Sequence, residues 1–332
     1  MTTVPPEGAS RPDASSLAPS PAEPRQRLLW RDPIGEVRRR RATLAEAATL
    51  DPERDAHRMV QLLFGRSFSD PLFVDAVFTI VYWRQLGVPS IAKTLHRTGQ
   101  TYDTRKRVND TLLTFGFWVR DGAQTQAGGE TADRIAAIHE HFNIRASDFR
   151  FTGACVCFEP VRVAETVGVK GLTAAEERAW FLFWRSVFRR WGIEIPEEQD
   201  GFMAWMRQYE DDEFAYTVEA AQMATALGND FCKRFYPGPL KPLGMLFLRA
   251  LCEDRLLDCL GQRRPTKAGR KAVALVVWTF IKFRRMVPAS STDRFLGQWD
   301  AEYGPDPDPA EVGPKWASDV TATTRKHATV GR

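Results

Sequence analysis

Between residues 26 and 285 the apolar residues recur mostly three and four apart, and the runs are cut by proline or glycine at "SDPLF", "LGVPS", "RTGQ", "DGAQTQAGGE", "GVKGLT", "GIEIPEE", "YPGPLKPLG" and "GQRRPT". That spacing is the signature of amphipathic helices. A half-buried strand needs strict alternation and a parallel sheet needs strands alternating with helices, and neither pattern is present. The chain is therefore expected to be all-α, with about ten to twelve helices. Two helix starts are legible in detail. Pro71 follows Ser69 and Asp70 as a first-turn proline, and Thr173 precedes Glu176 by three residues as a capping box. No repeat of fixed period and no long polar linker interrupts residues 26–285, so a single multi-helix domain is expected there. Residues 1–25 are rich in Pro, Ser and Ala and are expected to form a disordered tail. Residues 286–332, which contain "GPDPDPAEVGP", are expected to form a loosely ordered C-terminal tail.

A chain of 332 residues that is 43% apolar can bury a sizeable core. Its formal charge of +4 comes partly from one run, "RRRR" at Arg38 to Arg41. That run reads as a solvated helix end, and no nucleic-acid partner is expected. The five cysteines, Cys155, Cys157, Cys232, Cys252 and Cys259, are odd in number and form no CxxC pair. This argues against a disulfide framework or zinc knuckle and for a reducing cytoplasm. No apolar segment follows the arginine run as a secretory signal would. The most apolar stretch, "AVALVVWTFIKF" from Ala272 to Phe283, is shorter than the roughly 20 residues of a spanning helix. Its basic flanks suit an interfacial helix, but a buried last core helix is the preferred expectation.

Familiar catalytic motifs are missing: no P-loop, GxSxG, HExxH or strand-turn-helix GxGxxG occurs. A di-iron carboxylate bundle would need Glu-x-x-His, but Arg54, Lys93, Ala136 and Ile138 stand three before His57, His96, His139 and His141. Cys155 and Cys157 point about 200° apart on one helix and read as packing residues. More informative is "RIAAIHEHFNIRASDF", which places two of the five histidines one residue apart at the end of a helical run. At about 100° per residue, His139 falls beside Ile135, Ile138 and Phe142, whereas His141 falls near Arg134 at the rim. An inward imidazole is either a core residue bonded through one nitrogen or a ligand for an iron macrocycle in an apolar surround. Periodicity leaves both open.

In "TYDTRKRVNDTLLTFGFWVRD", Val108, Leu112, Phe115 and Val119 form the apolar face, with Arg107, Thr111, Thr114 and Trp118 along its edge. Lys106 and Asp110 fall on the far side, where a solvated pair is expected. Arg107 one turn before Thr111 fits a salt bridge to a neighbouring helix equally with a functional role. A buried arginine requires an anion, and a haem propionate or an oxygen-derived anion would serve.

The segments "DPERDAHRMVQLLF", "LGVPSIAKTLHRTGQ", "RKRVNDT", "IHEHFNIRASDFRF" and "TAAEERAWFLFWRSVFRRWGI" resemble, in order and spacing, the family of the mycophenolic-acid oxygenase MpaB and, more distantly, the latex-clearing rubber oxygenases. The resemblance spans about residues 50–235. It implies an all-α fold enclosing a pocket for haem b, with dioxygen as co-substrate and cleavage of carbon–carbon double bonds in isoprenoid chains. By the same resemblance His139 matches the proximal iron ligand, and Arg107 and Thr111 match an Arg-x-x-x-Thr pair beside the haem. Two departures stand out. Asp110 replaces the lysine that precedes the threonine in rubber enzymes, as it does in the mycophenolic branch. The stretch Ile91 to Lys106 contains none of the glutamate those enzymes use, only Lys93, His96 and Asp103 as titratable groups, each of which reads equally as a surface residue.

The expected function is a haem-dependent oxygenase acting on a small apolar, isoprenoid or polyketide-like substrate, with Arg134 and Arg145 as candidate partners for the propionates. One rival is a non-catalytic carrier of haem or an apolar ligand. The other is a helical partner-binding protein that docks through Arg38 to Arg41.

Overall fold

The computed structural model describes residues 33–67, 70–98, 104–284, 294–297, 299, 303–304, 307–309 and 312–313. The stretch 1–25, expected to be a tail, lies outside the described residues, as do Asp103 and residues 286–293.

Among the described residues every regular element is helical. In order they are α1 (Pro33–Thr49), α2 (Pro52–Val60), a π-helical turn (Gln61–Ser67), α3 (Pro71–Leu86), α4 (Pro89–Arg97), α5 (Thr104–Asp121), α6 (Gln126–His139) and α7 (Ala146–Thr166). They continue with α8 (Ala174–Arg190), α9 (Gln199–Glu213), α10 (Val218–Phe235), a 3-10 turn (Gly238–Leu240), α11 (Lys241–Ala250), α12 (Asp254–Cys259), α13 (Lys267–Arg284) and the short α14 (Arg294–Gly297). The all-α class read from periodicity is the class observed.

α3 explains the layout. Asp70 caps it by accepting from the Leu72 N–H, Pro71 sets its first turn, and nearly every residue from Val74 to Leu86 is buried. A helix apolar on all sides is stable only when enclosed, and α4, α7 and α10 pack around it. α2 lies along α8, whose capping box forms as read: Thr173 Oγ1 accepts from the Glu176 N–H, and the Glu176 carboxylate accepts from the Thr173 N–H at 2.7 Å.

Helical periodicity gave no hint of the polar cluster inside this core. Arg84 on α3 is 2% exposed and donates to both oxygens of Glu159 on α7, to Glu210 on α9 (3.0 Å) and to Glu253 before α12 (2.6 Å). Arg162, one turn beyond Glu159, donates to Glu210 (2.7 Å) and Glu253 (2.8 Å). The cluster ties four parts of the chain together through charge-assisted bonds.

Three expectations need correction. α13 is not a buried core helix: Val273 and Val277 are buried, but Leu275 and Trp278 are 63% and 45% exposed. Only its inner stripe meets the core, where α11 and Phe73 of α3 pack against it. The arginine run lies within α1 and not at its end, with Arg38 and Arg41 exposed and Arg40 buried. Finally, part of the stretch expected to be a loose tail is packed. Phe295, Trp299 and Val312 are buried, and Trp299 donates its Nε1–H to Asn109 on α5 at 3.2 Å. The apolar residues responsible are few and widely spaced, so no periodicity announces them. No described helix is long and apolar enough to cross a membrane.

Candidate active site

α5 and α6 enclose, with parts of α3, α4, α7 and α8, a mainly apolar cavity of about 520 Å³. Arg107, Thr111 and His139 all line it, as do Thr114 and Trp118 from the same edge of α5. Its volume is within the roughly 300–1,000 Å³ usual for ligand and cofactor sites.

His139 ends α6, so its position depends on where that helix starts. Thr125 caps the first turn by accepting from the Gly128 N–H, and Gly128 lies so close to the Gly122 carbonyl that a Cβ there would sit 1.9 Å from the oxygen. Only glycine permits that approach. At the other end the His139 ring meets Phe149 and Trp191 edge-on, with centroids 5.4 and 5.0 Å away. Its Nδ1 lies 2.8 Å from the Ile135 carbonyl. A carbonyl can only accept, so Nδ1 carries the proton and Nε2 keeps its lone pair. Burial, aided by the charge of Arg107, lowers the imidazole pKa below its ordinary value and favours the neutral ring. His141 bonds the Ala137 carbonyl in the same way but is exposed.

Arg107 donates to Thr98 Oγ1 at 3.0 Å. Among the described residues it has no carboxylate within the 4.0 Å of an ion pair. Burial lowers its guanidinium pKa, opposed by the nearby Tyr82 and Asp110. Thr111 Oγ1 donates to the Arg107 carbonyl at 2.9 Å and accepts from the Tyr82 hydroxyl at 2.8 Å. Tyr82, buried on α3, lines the cavity and was missed in the sequence; only its distance in the chain from "RKRVNDT" hid it.

Lys106 and Asp110 form the i, i+4 pair expected of them, and the lysine side chain stays 41% exposed, but the pair does not lie on the far side of α5. They bond each other at 2.5 Å, and both line the cavity. The C-terminal segment covers that face: Tyr303 donates to Asp110 at 2.8 Å, and Lys106 donates to the Gly313 carbonyl at 2.9 Å. Neither arginine offered for the propionates reaches the cavity wall. Arg134 donates to the Val312 carbonyl (2.8 Å), while Arg145 binds Asp148 (2.9 Å) and Glu213 (3.0 Å). Of the titratable candidates between residues 91 and 106, Lys93 and His96 lie outside the cavity, His96 against Gln222 at 3.2 Å.

The donor set fits a haem. The neutral imidazole presents Nε2 while its Nδ1–H is fixed by a backbone carbonyl, the outer-shell arrangement usual for metal-bound histidine. Arg107 is a desolvated cation suited to a carboxylate, and the remaining wall is largely apolar. Among the described residues no three His, Cys, Asp or Glu side chains are grouped to hold a bare metal ion. All five cysteines are unpaired and buried.

The class these observations define is an all-α domain whose helices surround a mainly apolar cavity, with one neutral imidazole, one desolvated guanidinium and a hydroxyl at its wall. Residues 67–289 match the family described as ER-bound oxygenase mpaB/B'/rubber oxygenase, catalytic domain, and the chain belongs to that family. It is thus an oxygenase by family. No curated protein matches the chain.

Proposed function

We propose that this oxygenase depends on haem b and uses dioxygen on an apolar, isoprenoid or polyketide-like substrate, cleaving a carbon–carbon double bond. The observation that carries the reading is His139, whose bond to Ile135 leaves Nε2 free for a metal in a cavity shared with Arg107 and Thr111. Haem would supply an iron able to bind and activate dioxygen. His139 would hold it, and Arg107 would neutralise a carboxylate that the cavity otherwise leaves unpaired. Thr111 would orient an oxygen-bearing group through its hydroxyl. Phe78, Val81, Phe115 and Val156 separate the cavity from a second apolar cleft of about 140 Å³, which supports an apolar substrate. The unpaired cysteines support a cytoplasmic location.

A carrier of haem or of an apolar ligand is the second reading, favoured by one feature: among the described residues no glutamate lines the cavity. The deciding experiment is the visible spectrum of protein purified from haem-supplemented cells, beside His139→Ala. A Soret band in the wild type that His139→Ala loses is expected, together with oxygen consumption on an isoprenoid substrate. Full haem retention by His139→Ala refutes the ligand assignment, and haem without oxygen consumption supports the carrier.

A further inference from the structure

Behind Thr111 stands a residue that none of the roles above uses. Tyr82 is 7% exposed, and its hydroxyl oxygen lies 2.8 Å from Thr111 Oγ1, which lies 2.9 Å from the Arg107 carbonyl. Thr111 owns one hydroxyl proton and the carbonyl can only accept, so the proton goes there and Tyr82 must be the donor to Thr111. The chain of bonds therefore has a direction, from Tyr82 to Thr111 and onward. When Thr111 turns its proton to a molecule in the cavity, it still accepts from Tyr82, which polarises it as a donor.

The acidic groups elsewhere on the wall are engaged. Asp110 is held by Lys106 and Tyr303, and Asp148 by Arg145, Ser90 and Tyr209. Burial raises the Tyr82 phenol above its ordinary value, although Thr111 and Arg107 oppose the shift, so it keeps its proton at neutral pH.

We propose that Tyr82 is a positioning residue for the oxygenase reaction: it holds Thr111 as a hydrogen-bond donor toward the molecule bound beside Arg107. This rests on the haem reading above and extends it to the layer behind the cavity wall.

The test uses the full chain purified with haem and sodium azide as an anionic probe, titrated by visible absorbance. Tyr82→Phe keeps the ring and removes only the hydroxyl. Its azide Kd is expected to rise about fivefold, the worth of one hydrogen bond of about 1 kcal/mol. Thr111→Val is expected to lose at least as much, and Tyr82→Phe/Thr111→Val no more than Thr111→Val alone, because Tyr82 acts through Thr111. Unchanged azide affinity in Tyr82→Phe, whatever its melting temperature, overturns the proposal, and so does an additive loss in the double variant. Failure of Tyr82→Phe to take up haem when Thr111→Val does so also overturns it, since Tyr82 would then serve the fold and not Thr111. A colourless wild type rejects the haem reading and this inference together, whereas a coloured wild type with an unaffected Tyr82→Phe rejects the inference alone.

Discussion

Replacing Arg84 by methionine keeps an unbranched side chain in the core but removes the charge around which three carboxylates are arranged. Glu210 and Glu253 retain Arg162 at 2.7 and 2.8 Å. Glu159 does not: it is fully buried, and both of its oxygens are bonded to Arg84. One partner of a buried pair is thus left uncompensated, a change that costs about 3–5 kcal/mol. Against a total stability of about 5–15 kcal/mol this is a large fraction. With a urea dependence of about 3 kcal/mol per molar, the unfolding midpoint should fall by roughly 1–1.7 M. Burial already raises the Glu159 pKa against the opposing pull of Arg84, and without Arg84 it rises further. In Arg84→Met the folded state therefore binds more protons than the unfolded one, so the deficit widens as pH rises from 5 to 8. Arg84→Met/Glu159→Leu removes both charges and should recover much of the loss. The assay is urea unfolding followed by circular dichroism at both pH values. A midpoint shift below about 0.3 M, or a double variant no more stable than Arg84→Met, refutes the reasoning.

Two further predictions concern acid stability and the C-terminal segment. Burial alone would raise the Glu253 carboxyl, but Arg84 and Arg162 outweigh it and hold the pKa down to about 2, against an ordinary 4.5. Its stabilisation is therefore complete above pH 4.5 and lost as pH falls toward 2, so Glu253→Gln should flatten the acid limb of the stability profile in that window; parallel limbs would refute this. Trp299→Ala removes a side chain that is 1% exposed, meets Phe295 edge-on and donates to Asn109. It should cost about 3–5 kcal/mol in urea unfolding, whereas a loss under about 1 kcal/mol would mean that the segment contributes little to the fold.

Local signals were legible wherever neighbours in sequence are neighbours in space. Helical class follows from apolar spacing and proline punctuation, and the Thr173 cap and the helix start at Pro71 follow because a cap bonds within three residues of itself, although between Ser69 and Asp70 it is the structure that shows Asp70 as the cap. The inward turn of His139 and the alignment of Arg107, Thr111, Thr114 and Trp118 follow from about 100° per residue. These determine which residues face one way along each helix. They do not determine what stands opposite.

Tertiary structure decided the rest, because it rests on contacts between distant parts of the chain. Tyr82 meets Thr111 across 29 positions, and Tyr303 meets Asp110 across 193. The second contact turns a pair that looks solvated on its own helix into part of a cavity wall. Arg84 finds its three glutamates on other elements, so nothing within α3 itself announces the cluster. Arg134 and Arg145 flank His139 in sequence, yet their guanidiniums are committed to Val312 and to Asp148 with Glu213. Sequence sets the direction of a side chain through the short-range geometry of the helix. Its partner is set by how the helices pack: the family resemblance puts His139, Arg107 and Thr111 in one pocket, and the packed chain adds that the imidazole is neutral, the guanidinium desolvated and the hydroxyl backed by Tyr82.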